Sequence, residues 1–284
     1  MKKAHEEIRK GISEDYARAV AAGTGCGCGC GVPVQKGVAA KLAGYSDEDL
    51  ASLPGEAVVN SFGCGNPLAF SAVREGQVVL DLGSGAGIDL LLAAGRVGPA
   101  GRVIGVDMTD EMIVKARENI EASGFSNIEV RKGLIEDLPV ETGSVDWVIS
   151  NCVINLSPEK PRVFAEIARV LKKGGTMVVS DMVAERLPRE VLEDAALYSS
   201  CIAGAISEKE YLAGLSEAGL TDIEVMGRMV FDGAQMKDMV ESELKFAGDA
   251  GSGCCGSRSR GMVEGLAAKL EGRVWSMKVR ARKL

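Results

Sequence analysis

Asp81-Leu82-Gly83-Ser84-Gly85-Ala86-Gly87 is the stretch on which the reading of this chain turns. A short apolar run, Gln77 to Leu80, precedes it, and a second apolar stretch, Ile88 to Ala94, follows with the character of a helix. Strand, glycine turn and helix in that order form a nucleotide cradle. The glycines permit the turn and let the backbone approach a ligand closely. A nicotinamide site with the spacing G-x-G-x-x-G would carry glycine at position 88, where this chain has Ile88. The spacing here is D-x-G-x-G-x-G, with Asp81 placed to meet a positively charged group of the ligand. Further on, Arg102 to Val106 form another apolar run that ends in Asp107. A carboxylate at the end of the second strand accepts both hydroxyls of a ribose.

Working outward, the alternation continues. Glu111 to Ala122 reads as a helix with Met112, Ala116 and Ile120 on one face, and Asn127 to Arg131 as the third strand. Val145 to Ser150 reads as the fourth strand, Lys160 to Leu171 as a helix stopped by Lys172-Lys173-Gly174-Gly175, and Thr176 to Ser180 as the fifth strand. This rhythm predicts an α/β fold, a Rossmann-like parallel sheet with helices on both faces. Ligands of such sheets bind beyond the carboxyl ends of the strands, where Asp81, Asp107, Ile135, Asn151 and Asp181 fall. Beyond the fifth strand, helices are expected over Glu190 to Ser200 and Ser207 to Ala218, and strands over Ile223 to Met226 and Trp275 to Ala281. Before the glycine turn, residues 1–22 have helical character. Ser46 opens a short helix that Pro54-Gly55 should end. The organisation expected is an N-terminal Cys-rich segment (1–60), a core (61–226) and a small C-terminal region (227–284).

Composition narrows the chemistry. The 284 residues are 46% hydrophobic and 26% charged, enough to bury an ordinary core. A net charge of −7 argues against a nonspecific grip on nucleic-acid phosphates. No apolar run approaches the roughly 18 residues a membrane helix needs. The charged start, Met1 to Lys10, lacks the apolar stretch of a signal peptide, and none is expected. A cytoplasmic protein is expected, monomeric by default. In the cytosol, eight cysteines suggest soft-ion binding or catalysis more than a disulfide framework. The single histidine, His5, lies near a terminus expected to be mobile, so His-based catalysis and a His-rich zinc site are set aside.

The glycine turn together with Asp107 resembles the class I S-adenosylmethionine-dependent methyltransferases. That resemblance implies S-adenosylmethionine as cofactor, held by Asp81, Gly83, Ser84, Gly85, Gly87 and Asp107. In that fold the loop after the third strand often carries an acid for the adenine amino group. Leu134 stands there, which leaves the adenine to backbone beside Ile135 and to Glu136. Met108 either stacks on the adenine or packs in the core. Asn151 and Cys152 end the fourth strand, whose loop in this fold meets the reactive methyl group. Cys201 lies on the segment that shapes the acceptor pocket, and Cys64 on a tight Gly-Cys-Gly loop before the first strand. Any one of these cysteines is as readily a small buried hydrophobe. Three on the acceptor side of one site suggest a soft acceptor. Trivalent arsenic binds three sulfurs and keeps a lone pair for in-line attack on a sulfonium methyl, with no base required. Orienting it near attack distance can supply roughly 7 to 11 kcal/mol of a barrier.

Ser61-Phe62-Gly63-Cys64-Gly65-Asn66-Pro67, Ser150-Asn151-Cys152-Val153-Ile154-Asn155-Leu156 and Cys201-Ile202-Ala203-Gly204-Ala205 resemble the arsenite methyltransferases over about residues 56 to 226. The resemblance implies methyl transfer to As(III), methylated arsenicals as products, and a thiol reductant such as thioredoxin or glutathione. It implies that Cys152 and Cys201 hold the arsenic, and that Cys64 joins in binding and in the redox step after methylation. It also implies a further N-terminal cysteine paired with Cys64, a role for which Cys26, Cys28 and Cys30 compete. Cys254-Cys255 either captures arsenic ahead of the site or is a tail feature. Two other readings stand beside this one: methylation of an organic acceptor with structural cysteines, and a thiol-rich metalloid buffer on the same scaffold.

Overall fold

Val78–Leu82 forms β1, and four of its five side chains are buried, as a strand covered on both faces requires. Arg102–Asp107 (β2) and Ile128–Lys132 (β3) continue the sheet on one side. Val145–Asn151 (β4) and Leu171–Ala184 (β5) continue it on the other, and all five strands are parallel. Leu220–Val230 (β6) and Val274–Lys283 (β7) complete a seven-stranded sheet of order β3-β2-β1-β4-β5-β7-β6. The computed structural model describes residues 2–21, 45–51, 53–59, 65–68, 71–192, 198, 201–237 and 260–284. Cys26, Cys28, Cys30, Cys64, Cys254, Cys255 and most of the helix expected over Glu190 to Ser200 lie outside the described residues.

The helices Lys2–Ala21 (α1), Ile88–Val97 (α2), Asp110–Ser123 (α3), Lys160–Val170 (α4), Glu208–Glu217 (α5) and Arg260–Leu270 (α6) follow from local chemistry. In α4 the buried Val163, Phe164, Ile167 and Val170 recur at helical spacing. Ser207 and Glu210 close a reciprocal capping box at the start of α5. Alternate strand residues point into opposite cores. Leu80, Val148 and Val179 join a cluster with Phe164 and Tyr211, whereas Val79, Ile149 and Val178 join one with Leu90 and Ala116.

The structure adds to the expected pattern in several elements. The sheet is mixed, because β7 runs antiparallel between β5 and β6. That pairing runs from Thr176↔Arg282 to Ala184↔Val274 and extends β5 well past Ser180. Pro54-Gly55 separates two short helices, Asp47–Ala51 and Gly55–Val59, so the glycine opens an element as well as following one. β6 also exceeds Ile223 to Met226, because register shifts at Thr221/Glu224 and Val225/Gly227 break its alternation. Among the described residues no helix is long and apolar enough to cross a membrane.

The Phe164 and Tyr211 rings meet edge-on at 5.1 Å, joining α4 to α5. A methyl group on Gly214 would stand 2.6 Å from the Phe164 ring. Gly→Ala inside a helix ordinarily gains about 1 kcal/mol, and overpacking costs about 1–3 kcal/mol. Gly214→Ala is therefore expected to lower stability in chemical denaturation. In a Phe164→Leu background the same substitution should turn neutral or stabilising; equal effects in both backgrounds would refute the packing account.

Candidate functional site

Strand order reverses at β1, with β2 on one side and β4 on the other, so the loops leaving β1 and β4 diverge and open a cleft. Asp81, Gly83, Ser84 and Gly85 line it from the first loop, and Asp107 and Met108 from the second. Ile135 and Glu136 line it after β3, and Asn151 and Cys152 after β4. Gly83 has φ +63°, and a methyl group there would lie 2.5 Å from both Cγ atoms of Val153. Only glycine lets the two loops approach this closely. Gly87, with φ +93°, caps α2 from outside the cleft.

Four buried carboxyl groups border this cavity, Asp81, Asp89, Asp107 and Glu136, and the three aspartates crowd its glycine-turn side. Burial pushes Asp81 well above the ordinary carboxylate range, and the nearby charges of Asp89 and Asp107 push it further. Burial raises Asp89 to about 6 against the opposing hydrogen bonds of Tyr45 and Asn151. The Tyr45 hydroxyl donates to both Asp89 oxygens at 2.8 and 2.9 Å. Asp107 is raised by burial and eased by backbone donors. Its Oδ2 accepts from Gly85 N–H at 2.9 Å and its Oδ1 from Thr109 N–H at 2.9 Å. Ser84 adds a buried hydroxyl with no hydrogen-bond partner among the described residues. This donor set suits a ligand that carries positive charge and hydroxyl groups.

The acceptor side brings two of the three expected cysteines together. Cys152 follows β4 directly with φ +58°, and its N–H donates to the Ser180 carbonyl at 2.8 Å. Cys201, with φ +63°, is a buried thiol that donates to the Cys152 carbonyl at 2.6 Å. The left-handed backbone costs a non-glycine residue roughly 1–3 kcal/mol, so the surroundings must hold both turns. Gly204 helps, since a methyl group there would stand 2.2 Å from the Asn155 carbonyl. Cys152 is half of a disulfide. The Asn151 side chain accepts from Gly65 N–H at 3.0 Å and donates to the Gly65 carbonyl and to Tyr45 at 3.0 Å. Among the described residues no three His, Cys, Asp or Glu side chains form a group able to hold a metal ion, and Cys64 is not among those residues.

Several contributors escaped the sequence reading. α1 packs against α3 and lines the cavity with Arg9, Ile12 and Tyr16. His5 therefore sits in an ordered helix, its Nδ1 3.5 Å from Glu159, not at a mobile terminus. The helical character of residues 1–22 did not mark what that helix covers. Glu136 lines the cavity, yet its Oε1 accepts from Arg9 at 2.9 Å and from Ser157 at 2.6 Å. Met108 lines the cavity and packs against the cluster that holds Cys152 and Cys201.

Residues 74–219 match the methyltransferase domain family. The arsenite methyltransferase of Halobacterium salinarum is 44% identical over 231 residues, which is 78% of this chain and 59% of that protein. The arsenite methyltransferase of Mus musculus is 33% identical over 215 residues, 72% of this chain and 56% of that one. The chain thus spans somewhat over half the length of these curated relatives. An arsenic(III) S-adenosylmethionine methyltransferase from Chlamydomonas reinhardtii matches in structure with a TM-score of 0.66 at 33% identity, over 84% of this chain and 73% of that chain.

Behind the thiol loops, Asp181 accepts from Met182 N–H at 2.9 Å, Asn155 Nδ2 at 2.8 Å and the Tyr211 hydroxyl at 3.3 Å. Burial nevertheless raises it to about 7. The fold prefers its neutral form, so its contribution is complete below about pH 4 and is lost as pH rises through about 7. Asp181→Asn stays neutral throughout. Relative to that variant, the parent chain should lose up to about 1.4 kcal/mol per pH unit between about pH 4 and pH 7 and level off above. Urea unfolding of both proteins across that range measures the difference. Parallel stability curves would contradict the assignment.

Proposed function

This chain belongs to the arsenic(III) S-adenosylmethionine methyltransferases, a methyltransferase-domain family, and we propose that it methylates trivalent arsenic. The observation that carries the proposal is the meeting of Cys152 and Cys201, from segments far apart in sequence, beside a cleft bordered by buried acids. S-adenosylmethionine supplies a methyl group bonded to a positively charged sulfur. Asp107 would take the ribose hydroxyls, and Asp81 and Asp89 the cationic end. The backbone near Ile135 and the Met108 side chain would border the adenine. The three crowded aspartates and the Ser84 hydroxyl, without a hydrogen-bond partner among the described residues, fit such a ligand.

Cys152 and Cys201 hold the arsenic as thiolates, with Cys64 as the third. Support for Cys64 comes from its neighbour Gly65, which is hydrogen-bonded to the residue before Cys152. Arsenic held by thiolates keeps a lone pair, so the nucleophile needs no base. The residues orient it, and the apolar cluster around both cysteines keeps water away. A sulfur tied up in a disulfide cannot ligate, so the cycle needs a reductant, glutathione or a thioredoxin-like dithiol. Two thiols become one disulfide while Cys152 and its partner sulfur each gain a proton. One of Cys26, Cys28 and Cys30 is the candidate to pair with Cys64, and Cys254-Cys255 to capture arsenic first. Methylated arsenicals as products suit a detoxifying role in the cytoplasm, where thiols stay reduced.

Reduced protein incubated with As(III), a thiol and methyl-labelled S-adenosylmethionine should yield labelled methylarsenicals, separated with arsenic-specific detection. Cys152→Ser and Cys201→Ser should each lower the rate by about 100-fold or more, a loss of roughly 3 kcal/mol of transition-state stabilisation. Neither should change S-adenosylhomocysteine affinity by more than about threefold. Retained turnover in either variant would sink the thiolate mechanism.

A second outcome concerns charge. A cation favours ionised carboxyls, so S-adenosylmethionine affinity should fall as pH drops through about 6, where Asp89 gains its proton. S-adenosylhomocysteine, without charge on sulfur, should weaken less over the same calorimetric series. Affinities of both ligands that stay constant across this range would remove the acids from the binding account.

A further inference from the structure

α1 begins the chain, far in sequence from every strand that builds the cleft, yet three of its residues line the cavity. Ile12 is buried and Tyr16 half-buried, and both pack in the cluster that contains Cys152 and Cys201. The helix therefore lies over the junction between the ligand cleft and the cysteine pair. Polar contacts fasten it there as well. Arg9 donates to Glu136 Oε1 through Nε at 3.1 Å and through Nη2 at 2.9 Å, and Nη2 also reaches Glu159. Ser157 donates to the same Glu136 oxygen at 2.6 Å, and Ser13 and Thr109 hydroxyls lie 3.2 Å apart. The Glu136 side chain is 3% exposed and that of Arg9 16%. An uncompensated acid at that depth would be costly, so the guanidinium is the countercharge that lets Glu136 sit there.

We propose that Arg9 is a positioning residue for methyl transfer: by bridging Glu136 and Glu159 it fastens α1 across the cleft, so that Ile12 and Tyr16 complete the wall around the cofactor. Glu136 then acts chiefly as the anchor of this clamp. A ligand enclosed under α1 leaves only when the clamp opens, so its strength sets cofactor residence time as well as affinity. The inference rests on the cofactor reading of the cleft, not on arsenic as the acceptor.

The test uses the full chain and S-adenosylhomocysteine. Arg9→Gln should raise the dissociation constant by about tenfold, mainly through faster release in stopped-flow. KM for S-adenosylmethionine should rise more than kcat falls. Arg9→Lys, which keeps one charged donor, should fall between Arg9→Gln and the parent. Glu159→Gln, which removes the outer arm of the clamp from a residue that does not line the cavity, should show a smaller change in the same direction. Amide exchange in residues 2–21 should slow on ligand binding in the parent chain and not in Arg9→Gln. If Arg9→Gln folds with an unchanged unfolding midpoint and binds within about threefold of the parent, the clamp is overturned. If the parent chain binds no S-adenosylhomocysteine, the cofactor reading falls and the clamp with it. Binding without arsenic turnover would leave the clamp standing and overturn only the acceptor.

Discussion

A carboxylate taken out of water must be met by donors or by positive charge, and Asp81, Asp89 and Asp107 are buried around a single cavity. Much of the surrounding structure answers that requirement. The glycine turn bends so that Gly85 can present its N–H to Asp107, and Thr109 presents a second from the start of α3. Tyr45 comes from a segment well before the glycine turn to give Asp89 its hydroxyl. Asn151 links Tyr45 onward to Gly65. Asp81 gains least from the protein, which makes the cleft receptive to a cation.

The same chain of contacts joins the cofactor side to the acceptor side. Asn151 ends β4 beside the cleft, and the next residue turns into left-handed backbone to deliver Cys152. Cys201 arrives in a turn of the same hand, its thiol on the Cys152 carbonyl. Two strained turns of this kind persist only where neighbours over-determine them. Gly204 against the Asn155 carbonyl, and Asn155 against Asp181, provide that support from within the core. The apolar cluster around the pair reaches Ile12 of α1, so the first helix packs against residues far along the chain.

The cofactor half was legible in the sequence because its signals are local. Glycine spacing, an acid at the end of a strand and alternating apolar periods each depend on a few neighbouring residues, and β1, α2, β2, α3 and β3 fall close to their expected bounds. The cysteine pair was legible through a family resemblance, since spacing alone gives no reason for Cys152 and Cys201 to meet. β6 and β7 were only partly legible: register shifts blur alternation in β6, and the antiparallel insertion of β7 depends on its partners. Nothing in Met1 to Lys10 marks Arg9 as a partner of Glu136.

What the sequence by itself determined was therefore the fold class, the glycine cradle with Asp81 and Asp107, and the candidate thiols. These rest on backbone preference and hydrophobic period, which act over a few residues at a time. Only the tertiary structure decided that Asp89 and Tyr45 belong to the acid wall, that α1 covers the cleft, and that Glu136 is committed to Arg9. Those contacts join residues separated by tens to more than a hundred positions. A buried charge selects whichever partner the packed chain brings within reach, wherever in the sequence that partner lies.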